Sequence, residues 1–143
     1  LSDTGDVRIE CLWPPPPEQM TLTATNETSL VLRLTFEGQR ILFCGDIQDE
    51  AQRELLRTTD LRGDVLLLPH HGGVTTFTRS FIQAVDPMYC IRASGQRDAE
   101  TRNGLLSIVR GRRYLSTAEC GDIDIRIRNG RLEVAGSRGM TPP

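Results

Sequence analysis

Three features of the sequence predict an α/β or α+β fold with a mixed sheet. The apolar runs Ile41-Leu42-Phe43-Cys44 and Val65-Leu66-Leu67-Leu68 lack alternation and read as strands buried on both faces. Segments with apolar residues at helical spacing lie between and after them, as a strand-helix-strand order requires for parallel pairing. Hairpin signals at Glu37-Gly38-Gln39 and Asn129-Gly130 add antiparallel pairs. At 143 residues and 38% hydrophobic content, the chain has material for one core, so residues 1–143 are expected to form a single soluble domain.

The elements follow in order. Residues 7–13 alternate apolar and polar, as a half-buried strand does. Pro14, Pro15, Pro16 and Pro17 supply no ladder donors and end it, opening a Pro-rich and polar loop over residues 14–28 that is long enough to be mobile. Strands are predicted over residues 29–36 and 40–44, joined by a tight turn. A helix over 48–57 is marked by Ala51, Leu55 and Leu56, with Asp49 and Glu50 in its first turn and Arg53 and Arg57 later, which suits the helix dipole. A strand at 64–68, a helix at 78–85 and a strand at 87–91 come next. Residues 98–110 form another helix, with Asp98 as N-cap and Gly111 as its C-terminal stop. Short strands at 113–116, 122–127 and 131–134 close the fold, and residues 136–143 are expected to be a frayed tail.

Composition limits the function classes. No apolar run approaches the ~20 residues that span a bilayer, and residues 1–6 lack the basic start and apolar stretch of a signal peptide. Beginning at Leu1, the chain is expected to be part of a longer polypeptide. The formal charge of −2 hides an asymmetry: residues 1–89 hold 7 Arg and 13 acids, whereas residues 90–143 hold 10 Arg and 6 acids. All of the basic residues are Arg, which suits phosphate binding through the guanidinium fork but equally reflects a genome rich in guanine and cytosine. Cys11, Cys44, Cys90 and Cys120 sit in or beside strand-like runs without CxxC spacing, so they are read as small buried apolar residues rather than disulfide or zinc partners.

Chemistry concentrates at two strand ends. Asp46 follows Gly45 after the first apolar run; it is either a metal-bridging carboxylate or the cap of the helix that follows. His70 and His71, the chain's only histidines, lie between Pro69 and two glycines at the mouth of the second run. Imidazole is a common zinc ligand, and a second histidine beside it would hold a phosphate or carry a proton; the alternative is a loop held by hydrogen bonds. Strand, helix and strand in this order place Asp46 and the histidines on one sheet edge.

Gly5-Asp6-Val7, Leu12-Trp13-Pro14-Pro15, Ser29-Leu30-Val31-Leu32-Arg33-Leu34, Phe43-Cys44-Gly45-Asp46, the run from Asp64 through Pro69-His70-His71-Gly72, and Phe81-Ile82-Gln83-Ala84-Val85-Asp86-Pro87 carry a resemblance. In order and spacing, over roughly residues 5–127, they resemble the latter half of the metallo-β-lactamase-like domain of bacterial ComEC-type competence proteins. The resemblance implies a partial four-layer αββα sandwich, with one or two zinc ions at the sheet edges of the intact domain. It also implies attachment to a membrane channel for DNA uptake on the extracytoplasmic face, where the domain acts on or guides the incoming strand. Asp46 matches the family's bridging aspartate. His71 is the favoured metal ligand, and His70 its catalytic neighbour. Arg92, Arg97 and Arg102 become candidates for DNA-backbone contacts, against plain surface arginines.

The chain departs from the family pattern in three places. The principal His-x-His-x-Asp-His motif is absent, Gly73 stands where a serine often follows PHHG, and Gly95-Gln96-Arg97-Asp98 stands near a Gly-His-Pro stretch. Metal-assisted phosphodiester hydrolysis therefore requires the missing N-terminal half of the domain as partner. A stand-alone hydrolase of small esters, amides or thioesters, and a metal-free binding domain, are the alternatives. Without its other half, the chain is expected to expose an apolar sheet face and either self-associate or rearrange its sheet to hide that face.

Overall fold

The computed structural model describes residues 6–19, 25–95 and 99–138. Six strands form one mixed sheet, ordered as in the sequence: β1 (Arg8–Trp13), β2 (Val31–Phe36), β3 (Gln39–Phe43), β4 (Val65–Leu67), β5 (Tyr89–Arg92) and β6 (Arg113–Ser116). The first three pair antiparallel, and β3 to β6 run parallel. Helices α1 (Asp49–Thr58), α2 (Thr78–Val85) and α3 (Ala99–Ile108) make the parallel crossovers. The one-turn helix α4 (Thr117–Cys120) leads into the hairpin of β7 (Ile123–Arg128) and β8 (Arg131–Gly136), which is a separate two-stranded sheet. An α+β fold with a mixed sheet is thus what the sequence specifies, but the last two strands do not extend the main sheet.

Burial explains the layering. Ala51 and Leu55 of α1, Phe81, Ile82 and Val85 of α2 and Leu105 of α3 pack with Leu42, Leu66 and Cys90 on one sheet face. Ile41, Val65, Tyr89, Ile91 and Leu115 point to the other face and pack with Val134, Ile123 and Ile125 of the hairpin. The central strands are therefore apolar on both faces, which is why their sequences do not alternate. Hairpin residues Asn129 (φ 52°) and Gly130 (φ 70°) take the left-handed conformations of the predicted tight turn. Their tip docks on the β2–β3 turn, where the Gly130 amide donates to Glu37 Oε2 (2.8 Å) and Gln39 Nε2 donates to the Gly130 carbonyl (2.9 Å).

The hairpin leaves the β1 side of that face uncovered. Ile9 lies in register with Leu34 and, through it, with Ile41, so it shares the hairpin's face, yet it is 63% exposed. Val7 and Cys11 are exposed as well, and of the apolar alternation over residues 7–13 only Trp13 is buried. An edge strand on whose apolar side none of the described residues stacks accounts for this departure from a half-buried strand. Cys11 likewise departs from the reading of all four cysteines as buried; Cys44, Cys90 and Cys120 do pack in the two cores.

Burial raises the Cys90 thiol from 9.0 to about 12, and the Cys44 thiol further. Both then favour the neutral thiol in the folded state, so their contribution to stability is complete below pH 9.0 and is lost as pH climbs toward about 12. At about pH 8, iodoacetamide is expected to modify Cys11 rapidly in the native chain and the other thiols only after denaturation. Native labelling of Cys44 at a comparable rate would contradict this packing.

Two segments read as irregular are tied down instead. Within the 14–28 loop, Thr25–Thr28 forms a one-turn helix in which Glu27 is buried, contrary to a mobile loop; residues 20–24 lie outside the described residues. In the predicted tail, Gly136 ends β8 and the Ser137 amide donates to the Asp122 carbonyl (2.8 Å), while residues 139–143 lie outside the described residues. Asp98, the expected cap of α3, lies outside them too.

Candidate metal centre at the sheet edge

Strands β3 and β4 are parallel neighbours, with Phe43 in register with Leu67, so the loops that follow them emerge on the same edge. Gly45 makes the first loop possible. Its φ is +51°, and a Cβ there would lie 3.0 Å from Ser29 Cβ and 3.1 Å from the Leu30 carbonyl oxygen. In the second loop, three successive residues have left-handed backbones: His70 (φ 48°), His71 (φ 53°) and Gly72 (φ 81°). Left-handed conformations at non-glycine residues are strained and persist only where the surroundings impose them. Here the His70 amide donates to the Gly45 carbonyl (2.9 Å), and the Gly73 amide donates to the His70 carbonyl (2.8 Å).

This backbone brings His71 Nε2 to 3.6 Å from Asp46 Oδ1. The other ring nitrogen, Nδ1, lies 2.8 Å from the Ala93 carbonyl oxygen. A carbonyl can only accept, so Nδ1 carries a proton and Nε2 is the ring nitrogen that faces the carboxylate. Two donors about 2.1 Å from one tetrahedral zinc stand about 3.4 Å apart, close to the separation found here. The separation of Asp46 and His71 thus matches two corners of a zinc site, and the Ala93 contact has the form of the outer hydrogen bond seen on metal-ligating histidines. Among the described residues no third His, Cys, Asp or Glu joins them to form a metal-holding group.

His70 is half-buried, and its two ring nitrogens lie 3.4 and 3.3 Å from Gln48 Nε2. That near-equidistance marks weak contact with both nitrogens rather than a directed bond to one. A pocket of about 180 Å³ adjoins the pair, lined by Phe43, Asp46, Leu67, Leu68, His71 and Ala93 among others.

The helix-cap alternative for Asp46 fails, because another residue has that role. The buried Glu27 carboxylate accepts the amide of Gln48 (3.2 Å), just before α1, and the α1 amides of Glu50 (3.2 Å) and Ala51 (2.9 Å). Trp13 Nε1 in turn donates to the Glu27 carbonyl (2.6 Å). Glu27 carried no sequence signal, since a glutamate in a polar loop 22 residues before the helix start matches no local capping pattern.

The arginines separate. Arg92, read as a nucleic-acid contact, is only 5% exposed, and its Nε donates to the His71 carbonyl (2.9 Å), so it is not free to meet a phosphate backbone. Arg97 and the Arg102 side chain lie outside the described residues.

No protein-family model matches the chain. It is similar to bacterial competence proteins. It is 26% identical to ComE operon protein 3 of Bacillus subtilis (strain 168) over 143 residues, covering 96% of this chain and 18% of that protein. It is 34% identical over 76 residues to competence protein ComA of Neisseria gonorrhoeae, covering 52% of this chain and 11% of that protein. The chain therefore spans less than a fifth of either relative. Among the described residues, no helix is long and apolar enough to cross a membrane.

Proposed function

We propose that the chain is the later half of a metallo-β-lactamase-like hydrolytic domain in a ComEC-type competence protein, acting on or guiding a DNA strand during uptake. The observation that carries this reading is the 3.6 Å approach of His71 Nε2 to Asp46 Oδ1, with the imidazole tautomer set by Ala93. Similarity to two competence proteins supports the biological setting. In this reading Asp46 and His71 hold zinc, and His70 stands beside them to contact a phosphate or move a proton. Phe43, Leu67 and Leu68 give the pocket an apolar lining beside them. Zinc would supply Lewis-acid polarisation of the phosphodiester and activation of water.

The remaining ligands and the cover for Val7, Ile9 and Phe43 come from the preceding half of the domain. The rest of the parent supplies the membrane channel, and the domain sits on its extracytoplasmic side. A metal-free binding domain is the second reading, favoured by the absence of a third ligand among the described residues.

Zinc content and light scattering, measured for this chain with and without the preceding half, decide between them. The chain alone is expected to hold less than one zinc and to self-associate through its uncovered face. The joined domain is expected to be monodisperse with at least one tight zinc, lost in His71→Ala. A folded, joined domain without metal would establish the second reading.

A further inference from the structure

Arg92 is a buried cation with no carboxylate partner among the described residues. Burying a guanidinium is costly unless its donors are used and its stem is well packed. Its Nε reaches the carbonyl of His71 (2.9 Å), and its Cγ and Cδ lie 3.2 Å from the point where a Gly72 Cβ would stand. Its charge also acts on the Tyr114 phenol, opposing the burial that raises that group's pKa. The next residue, Ala93, takes the His71 ring through its carbonyl (2.8 Å). Adjacent residues at the end of β5 therefore grip one histidine at two points, backbone carbonyl and imidazole. The residue they grip has a left-handed backbone, φ 53° and ψ 27°, that a histidine does not favour.

We propose that Arg92 is a positioning residue that holds His71 in its left-handed backbone, keeping Nδ1 on Ala93 and Nε2 toward Asp46. Arginine suits the task because Nε is a planar donor set partway along a stem that fills the space beside Gly72. A lysine ammonium, at the end of a flexible chain, has no donor at that place. The functional consequence rests on the proposed metal site, but the geometry at issue does not need the metal.

Imidazole ¹H–¹⁵N correlation spectra of the 143-residue chain, recorded at about pH 8 where an ordinary imidazole is neutral, test the proposal. Native His71 is expected in the Nδ1–H form. Arg92→Met and Arg92→Lys are both expected to lose that form and shift the His71 and Gly72 amide signals, while Arg110→Met, at an exposed position, leaves both unchanged. In a zinc-loaded joined domain the same variants are expected to bind metal about 10- to 100-fold more weakly. Retention of the Nδ1–H form and of both amide signals in either folded Arg92 variant overturns the proposal. If Arg92→Met does not fold, Arg92→Lys decides. A domain that binds no zinc but shows the tautomer change keeps this inference while removing the metal reading.

Discussion

Glu27→Ala is expected to lower stability by about 3 kcal/mol, roughly 10 °C in Tm, because it orphans several amides at once. The carboxylate accepts three amides at the start of α1, and its negative charge sits at the positive end of the helix dipole. An ordinary cap satisfies one or two such donors, and this one is buried, so water does not replace it readily. Glu27→Gln keeps the shape and one acceptor oxygen and is expected to lose about half as much. Thermal unfolding followed by circular dichroism measures both. A loss below about 1 kcal/mol for the alanine would show that solvent reaches the helix start. Because the Gln48 amide donates to Glu27 and its side chain faces His70, the alanine variant is also expected to shift the His70 ring signals.

The second large effect is expected at Gly72. Its φ is +81°, and a Cβ there would stand 3.0 Å from Leu105 Cδ2 and 3.2 Å from Arg92 Cγ and Cδ. Gly72→Ala adds backbone strain of about 1 kcal/mol to an overpacking term of about 1–3 kcal/mol, for a total near 2–4 kcal/mol. Gly38→Ala isolates the first term: its φ is +80°, but nothing lies within 4 Å of the added carbon. It is expected to lose only about 1 kcal/mol. Urea unfolding of the two variants gives the difference directly, and equal losses would mean that the space beneath Gly72 opens at no cost. Gly72→Ala alone is expected to disturb the His71 tautomer, since it pushes on the arginine that holds the histidine's carbonyl.

Much of the architecture was legible because it rests on local patterns. Two-faced burial of the central strands removes alternation, helical spacing marks α1 and α2, and Asn129-Gly130 fits a turn that few other pairs adopt. The placement of Asp46 and the histidines on one edge followed from strand order alone, since parallel strands start and end together. Where prediction missed, the deciding contact was distant in sequence. Ile9 and Cys11 alternate correctly, but whether their face is covered depends on how far the hairpin of residues 123–136 reaches across the sheet. Arg92 reads as one surface arginine among many until β5 carries it beneath the histidine loop.

By itself, then, the sequence determined the strands, the helices and the pair of chemical loops, because propensity and periodicity act over a few residues. Tertiary structure decided which carboxylate caps α1, which nitrogen of His71 is left to face Asp46, and which arginine is withdrawn from solvent. Those outcomes depend on hydrogen bonds between residues about 20 positions apart: Glu27 to Gln48, His71 to Ala93, and Arg92 to His71. Such bonds form only after the sheet has brought its edge loops together, and no local pattern encodes them.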